Sequence, residues 1–101
     1  MLEYNTIRGV IFMCQKINHL NNIIKEVASV LNIKIDNYNI DDIHKMLINN
    51  KLYDCLENTF KNCDYVDKRI LSMCNKFQYD LIKMYLELNK IEIKEIQFKS
   101  T

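Results

Sequence analysis

Metal binding is the first chemistry to consider, because His44, Cys55, Cys63 and Cys74 have the atom types that a zinc site uses. Structural zinc sites usually bring their ligands in close pairs, such as Cys-x2-Cys or His-x3-His. From His44 to Cys74, successive candidates are separated by ten, seven and ten residues. Because no close pair exists, we expect no metal site and no other cofactor.

Nucleophilic cysteine chemistry would require a thiolate, a neighbouring base and an orienting group. Cys14 and Cys74 fall on predicted apolar helix faces, where a thiol is desolvated and inert. Cys55 and Cys63 belong to no recognisable motif. The sequence also contains none of the patterns C-x-x-C, G-x-S-x-G, G-x4-G-K-[ST] or H-E-x-x-H, which mark redox, hydrolase, nucleotide-binding and zinc-protease sites. We therefore expect no catalytic residues and a protein that is not an enzyme.

The elements that would position such side chains are helices, because the chain has no proline and a single glycine, Gly9. Tight hairpins, phosphate-binding loops and strained nucleophile turns usually need glycine where φ is positive. The length suits one domain covering residues 1–101, and a hydrophobic fraction of 49% supplies the material for a core. We predict an all-α, mainly helical fold: a small bundle of three to five helices, two of them long and amphipathic.

Apolar residues that recur at three- and four-residue steps predict four helices. The first and the fourth are long, and each carries an apolar stripe along its whole length; the polar Asn21 lies on the first stripe. Asn39 and Asp64 are the predicted N-caps of the second and fourth helices, because short polar side chains accept hydrogen bonds from the first helical amides. The four predicted helices cover residues 6–31, 40–48, 52–62 and 65–89.

A short β element is predicted in addition, because isoleucine alternates with charged residues in two places. Ile33 and Ile35 flank Lys34, and residues 91–98 begin with the pattern Ile-Glu-Ile-Lys. Alternation with a period of two is typical of a half-exposed strand, so 33–35 and 91–98 are predicted to pair. The alternative is that the fourth helix continues through the tail, since Glu, Lys and Gln favour helix.

The apolar stripes of the first and fourth helices are longer than two middle helices of about ten residues can cover. Further apolar residues widen the fourth helix beyond its main stripe, which predicts that part of it meets a partner. The leading hypothesis is a non-enzymatic protein–protein interaction module whose partner is another protein or a second copy in a homodimer. The predicted partner-binding residues are Leu71, Ile82, Tyr85 and Leu86.

Basic residues along the last predicted helix support a second hypothesis, a small nucleic-acid-binding regulator. Residues 68–101 carry a net charge of +3, whereas residues 41–67 carry a net charge of −3. Lys76, Lys83 and Lys90 recur at seven-residue intervals and could follow a phosphate backbone. The alternative is an ordinary solvated helix face. The segment holds a single arginine, so contacts that distinguish one base from another are not expected.

Composition also bears on compartment and origin. The net charge is +1 and no run of about 18 apolar residues occurs, so we expect neither a transmembrane helix nor membrane binding. The short apolar segment 9–14 lacks the basic leader and cleavage site of a signal peptide, which predicts a cytoplasmic protein with reduced cysteines. The abundance of Ile, Asn and Lys, whose codons are AT-rich, suggests an accessory factor or inhibitor encoded by a virus, phage or other mobile element.

Overall fold

Four α-helices and a two-stranded parallel sheet make up residues 7–95, which are the residues that the computed structural model describes, with side chains from residue 11 onward. The first three helices follow one another, and the sheet brackets the fourth. A 3-10 turn lies between the first strand and the last helix. The helices are Ile7–Val30 (α1), Ile40–Leu47 (α2), Asn50–Phe60 (α3) and Lys76–Leu88 (α4); the strands are Tyr65–Asp67 (β1) and Glu92–Lys94 (β2); the 3-10 turn is Ile70–Met73.

The first three helices confirm the sequence prediction to within two residues at each end, because each begins or ends at a strong local signal. Asn39 caps α2: its side-chain oxygen accepts from the amide of Asp42 at 3.0 Å, and the Asp42 carboxylate accepts from the amide of Asn39 at 3.1 Å. This reciprocal capping box satisfies two amides that have no partner within the helix. Asn49 caps α3 by accepting from the amide of Leu52 at 3.0 Å.

The prediction of one long helix over 65–89, capped by Asp64, is wrong. Residues 65–67 form β1, and the α4 helix starts only after Asn75. Asn75 accepts from the amide of Gln78 at 2.8 Å and donates its own amide to the Gln78 side chain at 3.0 Å. That second capping box stabilises a helix start in the middle of the predicted helix. The apolar periodicity nevertheless indicated which residues are buried, since Val66 is as fully buried as a core helix residue.

The sheet differs from the predicted one in the identity of one strand. Glu92–Lys94 is a strand, as predicted, but it pairs in parallel with β1 and not with residues 33–35. The registry places Val66 opposite Ile93. Parallel strands require a crossover connection, and here the 3-10 turn and α4 supply it. The remainder of the predicted strand, residues 96–98, lies outside the described residues.

Residues 33–35 do not form a strand because Ile33 completes the C-terminus of α1. Asn32 has a φ of 58°, and the amide of Ile33 then donates to the carbonyl of Ala28 at 2.9 Å, which is the Schellman pattern of a helix end. Lys90 has the same φ after α4, followed by an equivalent bond from Ile91. Asparagine tolerates the left-handed conformation, so the chain ends helices without using glycine.

The core is one cluster of buried apolar side chains contributed by all four helices, β1 and the 3-10 turn. α1 runs antiparallel to α3, since Lys16 lies beside Asn58 and Glu26 beside Lys51. The α2 helix packs against α3 and α4, and the 3-10 turn packs against α1. Among residues 7–95, no helix combines the length and apolar content that crossing a bilayer requires.

Buried polar side chains mark where elements are held together. Asn21 is buried, as its stripe position predicted, and its Nδ2 lies 3.6 Å from the Sγ of Cys74, just before α4. This contact joins α1 to the segment that precedes α4. The other buried polar side chains are Thr59, Gln78 and Asp67. Among the described residues, no buried side-chain nitrogen or oxygen lacks a hydrogen-bond partner, as native packing requires.

Candidate interaction groove between α1 and α3

The four residues predicted to bind a partner lie inside the core. Their side chains are at most 4% exposed, so the prediction of an exposed partner face on α4 is wrong. Two aromatic contacts show how this face is covered: the Tyr85 ring lies 5.5 Å from that of Tyr53 and 6.0 Å from that of Phe60, both on α3. The α4 helix also packs against α2 and β2. The buried residues are Leu71, Ile82, Tyr85 and Leu86.

The three lysines of the predicted basic ridge are exposed, but they do not form one continuous row on a helix. Lys76 lies in the first turn of α4 and its Nζ is 3.2 Å from the carboxylate of Asp80. Lys83 is in the middle of the helix, whereas Lys90 follows its C-terminus with a positive φ. Glu87 lies between Lys83 and Lys90 in the same surface depression, so negative charge interrupts the row.

The cysteines do not assemble into a site. Cys14, Cys55 and Cys74 carry free thiols. Burial raises the pKa of the Cys55 and Cys74 thiols, and hydrogen bonds with Thr59 and Asn21, respectively, oppose this effect only in part. At neutral pH both thiols are therefore protonated and pack as small apolar groups. Within the described part of the chain, no three His, Cys, Asp or Glu side chains lie close enough together to hold a metal ion.

A groove of about 530 Å³ lies between α1 and α3. Its volume lies within the range of typical ligand and peptide pockets. The half-buried Ile23 and Cys55 form part of its apolar wall, and Thr59 is buried beneath it. The lining side chains are Phe12, Gln15, Lys16, His19 and Ile23 from α1 and Lys51, Asp54, Cys55, Asn58 and Thr59 from α3.

Charged groups border this groove and hold its two walls in place. The Nζ of Lys16 donates to the backbone carbonyl of Asn58 at 3.1 Å and lies 4.8 Å from the centre of the Phe12 ring. Glu26 and Lys51 form an ion pair between the helices at one end. These contacts link α1 to α3 while leaving the apolar surface between them open. The Phe12 side chain is 51% exposed, as is that of its neighbour Ile11.

α1 therefore carries a second stripe beside its apolar, core-facing one. The core-facing stripe includes Met13, Ile17, Leu20 and Ile24. The second stripe faces the groove and consists of Phe12, Lys16, His19 and Ile23, at steps of four, three and four residues, with an apolar residue at each end. This second stripe was not predicted, although three- and four-residue steps are the signal for a helix face. Two polar residues in its centre make it resemble an ordinary solvated face.

The groove combines an apolar surface with polar and charged borders. It offers an open apolar surface with a protonated thiol, a bordering lysine and a carboxylate, Asp54. A groove between two antiparallel helices presents the position that a third amphipathic helix would occupy. Its apolar floor would contact the apolar face of such a helix, and the bordering charges would set the orientation. Comparison with models of protein families, with curated proteins and with solved structures finds no match for this chain.

Proposed function

We propose that this chain is a non-enzymatic protein-interaction module whose contact surface is the groove between α1 and α3. The observation that carries this proposal is that Phe12, a large apolar side chain in the groove lining, is 51% exposed. Single exposed apolar residues are common, but one that extends an apolar groove belongs to a contiguous patch. Such patches are typical of protein-binding surfaces.

The position of the patch on α1 favours a helix of the partner as the element that the groove recognises. α1 contains 24 residues and is therefore about 36 Å long. α3 contains 11 residues and covers roughly half of that length. Since Lys16 is level with Asn58, near the C-terminus of α3, the α1 residues before Lys16 extend toward and beyond the end of α3. A partner helix placed in the groove would cover this part of α1.

The nucleic-acid hypothesis has less support, because the charges near the three lysines are balanced. Asp80 neutralises Lys76, and Glu87 lies beside Lys83 and Lys90. Phosphate binding depends on cationic side chains that displace the counterions condensed on the nucleic acid, and a lysine already paired with a carboxylate supplies less of this free energy. An α4 surface of alternating sign is more typical of solvated helices.

The free thiols and the composition support two further parts of the proposal. The free thiols of Cys14, Cys55 and Cys74 are expected where thiols stay reduced, which favours the cytoplasm. The AT-rich codon preference favours a virus, phage or mobile element as the source. A small binding module from such a source would act as an accessory factor or as an inhibitor, because occupying the surface of another protein is sufficient for either role.

Site-specific photo-crosslinking tests this function. A photoreactive phenylalanine analogue replaces Gln15, an exposed groove residue, and in a control variant it replaces Glu87, an exposed residue of α4. We expect irradiation, of the protein alone and in an extract of its native host, to yield a discrete protein adduct from the Gln15 variant and none from the Glu87 variant. Absence of any protein adduct at Gln15, with both variants folded by circular dichroism, would refute the proposed function.

A further inference from the structure

We infer that the occupant of the groove is a second copy of this chain, with the two α1 helices packed antiparallel across a two-fold axis. This inference rests on the proposed function and names its partner. The contact is the stripe formed by Phe12, Lys16, His19 and Ile23, called here the outer stripe, together with the α3 wall of the groove.

The outer stripe is self-complementary in spacing. Its steps of four, three and four residues read the same in both directions, so an antiparallel copy brings Phe12 opposite Ile23 and Lys16 opposite His19. Phe12 and Ile23 are eleven residues apart, which is about three helical turns, so both lie on one face. Each apolar end of the stripe would therefore meet an apolar end of the other copy, and the polar centre would meet its equivalent. Isologous dimers require this property of a surface.

The charges bordering the groove are also self-complementary. They include both signs, in Lys16 on α1 and Asp54 on α3. Lys16 is level with Asn58, and Glu26 is level with Lys51, so Asp54 lies level with the α1 turn that precedes Glu26. The two-fold rotation that pairs the outer stripes places Asp54 of one copy within about one helical turn, along the helix axis, of Lys16 of the other copy. A lysine side chain can reach across this distance.

The dimensions of the molecule permit such a dimer. The chain measures 49 × 23 × 22 Å, so a side parallel to its long axis has a projected area of roughly 1,100 Å², compared with the about 800 Å² per partner buried in a standard interface. The open part of the groove and the exposed Phe12 lie on such a side. Packing of two α1 helices would create a four-helix layer from α1, α3 and their copies, a common dimer architecture.

Sedimentation equilibrium tests the dimer directly. We expect the wild-type chain to have twice its monomer mass of 12.1 kDa at micromolar concentration. Phe12→Glu places a charge at the apolar ends of the interface and should raise the dimer dissociation constant at least about 30-fold, since an anchor residue is lost twice per dimer. The control is Leu88→Glu, on an α4 side chain that is 68% exposed, and should leave the dimer unchanged. A wild-type chain that stays monomeric up to about 0.5 mM would overturn the inference, as would a dimer insensitive to Phe12→Glu.

The antiparallel arrangement can be tested through the sign of the charge at position 19 alone. Because His19 would face Lys16 of the other copy, His19→Glu should tighten the dimer about five-fold and His19→Lys should weaken it by a similar factor. His19 is exposed, so both variants should fold, and circular dichroism checks this. Equal effects of the two substitutions, or the opposite order, would overturn the antiparallel pairing. Failure here is distinct from failure of the proposed function, because a monomeric chain that still forms an adduct at Gln15 with another protein keeps that function.

Discussion

A hydrogen-bonded cluster between the α1–α2 connection and α4 makes the stability of this fold depend on pH. The Tyr38 hydroxyl donates to the carboxylate of Asp80 at 2.5 Å, and the Nζ of Lys76 lies 3.2 Å from the same oxygen. The Tyr38 ring also contacts Phe77 edge to face, with 4.8 Å between the ring centres. The perturbation that tests the cluster is Tyr38→Phe, which removes the hydroxyl and keeps the ring.

The expected loss of stability on Tyr38→Phe follows from how exposed the Asp80 side chain is to solvent. A hydrogen bond to a charged group contributes about 1.5–3 kcal/mol when shielded from water. The Asp80 side chain is 37% exposed, so solvent screening reduces the expected cost of Tyr38→Phe to about 1 kcal/mol. Lys76 is 82% exposed and adds little. Replacing Asp80 with Asn should cost a similar amount, because the same hydrogen bond loses its charged acceptor.

The pH dependence has a definite sign. The hydrogen bond from Tyr38, followed by that from Lys76, lowers the pKa of Asp80, while burial opposes the shift. Since the folded-state pKa lies below the unfolded value of about 4, the stabilising contribution is complete above that value and is lost as the pH falls through the folded-state pKa. Burial, followed by the hydrogen bond to Asp80, raises the pKa of Tyr38, so the hydroxyl remains a donor at neutral pH.

Urea unfolding of the wild type, Tyr38→Phe, Asp80→Asn and the double variant measures the coupling free energy between the two side chains. We expect about 1 kcal/mol at about pH 7 and a smaller value at about pH 2.5, because protonation of Asp80 weakens the hydrogen bond. The matched control is Tyr79→Phe, which removes a hydroxyl from α4, the helix that carries Asp80. This variant should show no such coupling with Asp80→Asn. A coupling of the same size at both pH values, or none at pH 7, would refute the role assigned to this hydrogen bond.

Three further substitutions, the first with a control, test the core, a helix end and the buried carboxylate. Phe77→Ala, at a side chain with no exposed surface, should lower the free energy of unfolding by about 3–5 kcal/mol; Leu88→Ala, on an exposed side chain of the same helix, should change it by less than about 0.5 kcal/mol. Lys90→Gly should raise the melting temperature, because glycine relieves a left-handed residue with φ of 58° at a gain of about 1 kcal/mol; a lower melting temperature would contradict the assigned conformation. Asp67→Asn should cost about 1–3 kcal/mol near neutral pH, since Asp67 is 3% exposed and bonded to Arg69. Its hydrogen bond with Arg69 lowers the pKa of Asp67, so the cost should shrink as the pH falls through that pKa, and an unchanged cost in acid would contradict this origin.

The helices α1 to α3 could be predicted because their signals are local. A cap such as Asn39 and an apolar period of three to four residues act over one or two turns, and no distant residue overrides them. Residues 65–67 were predicted wrongly because their structure depends on a distant segment. Residues 65–67 have helix-compatible periodicity, but their backbone groups bond to residues 92–94, and that partner lies on the far side of α4. Long-range pairing of this kind overrides weak local preference.

The candidate site was harder to predict than the fold. The extra apolar residues of α4, such as Tyr85, indicated a second covered face, and the structure shows α3 covering it. The sequence could not distinguish cover by the chain itself from cover by a partner, since both produce the same apolar pattern. The outer stripe on α1 had the correct helical spacing, but its polar centre concealed it.

The sequence by itself determined that this chain is helical, because a lack of glycine and proline and the three- to four-residue apolar period constrain each segment independently of its neighbours. It also determined where α2 begins, through the Asn39 cap. Tertiary structure alone decided which apolar surface remains open. Burial depends on what packs across a face: α2, β2 and the Tyr53 and Phe60 rings of α3 cover α4. The groove is exposed because its lining comes from α1 and α3 alone, and no other element of the described residues packs over it.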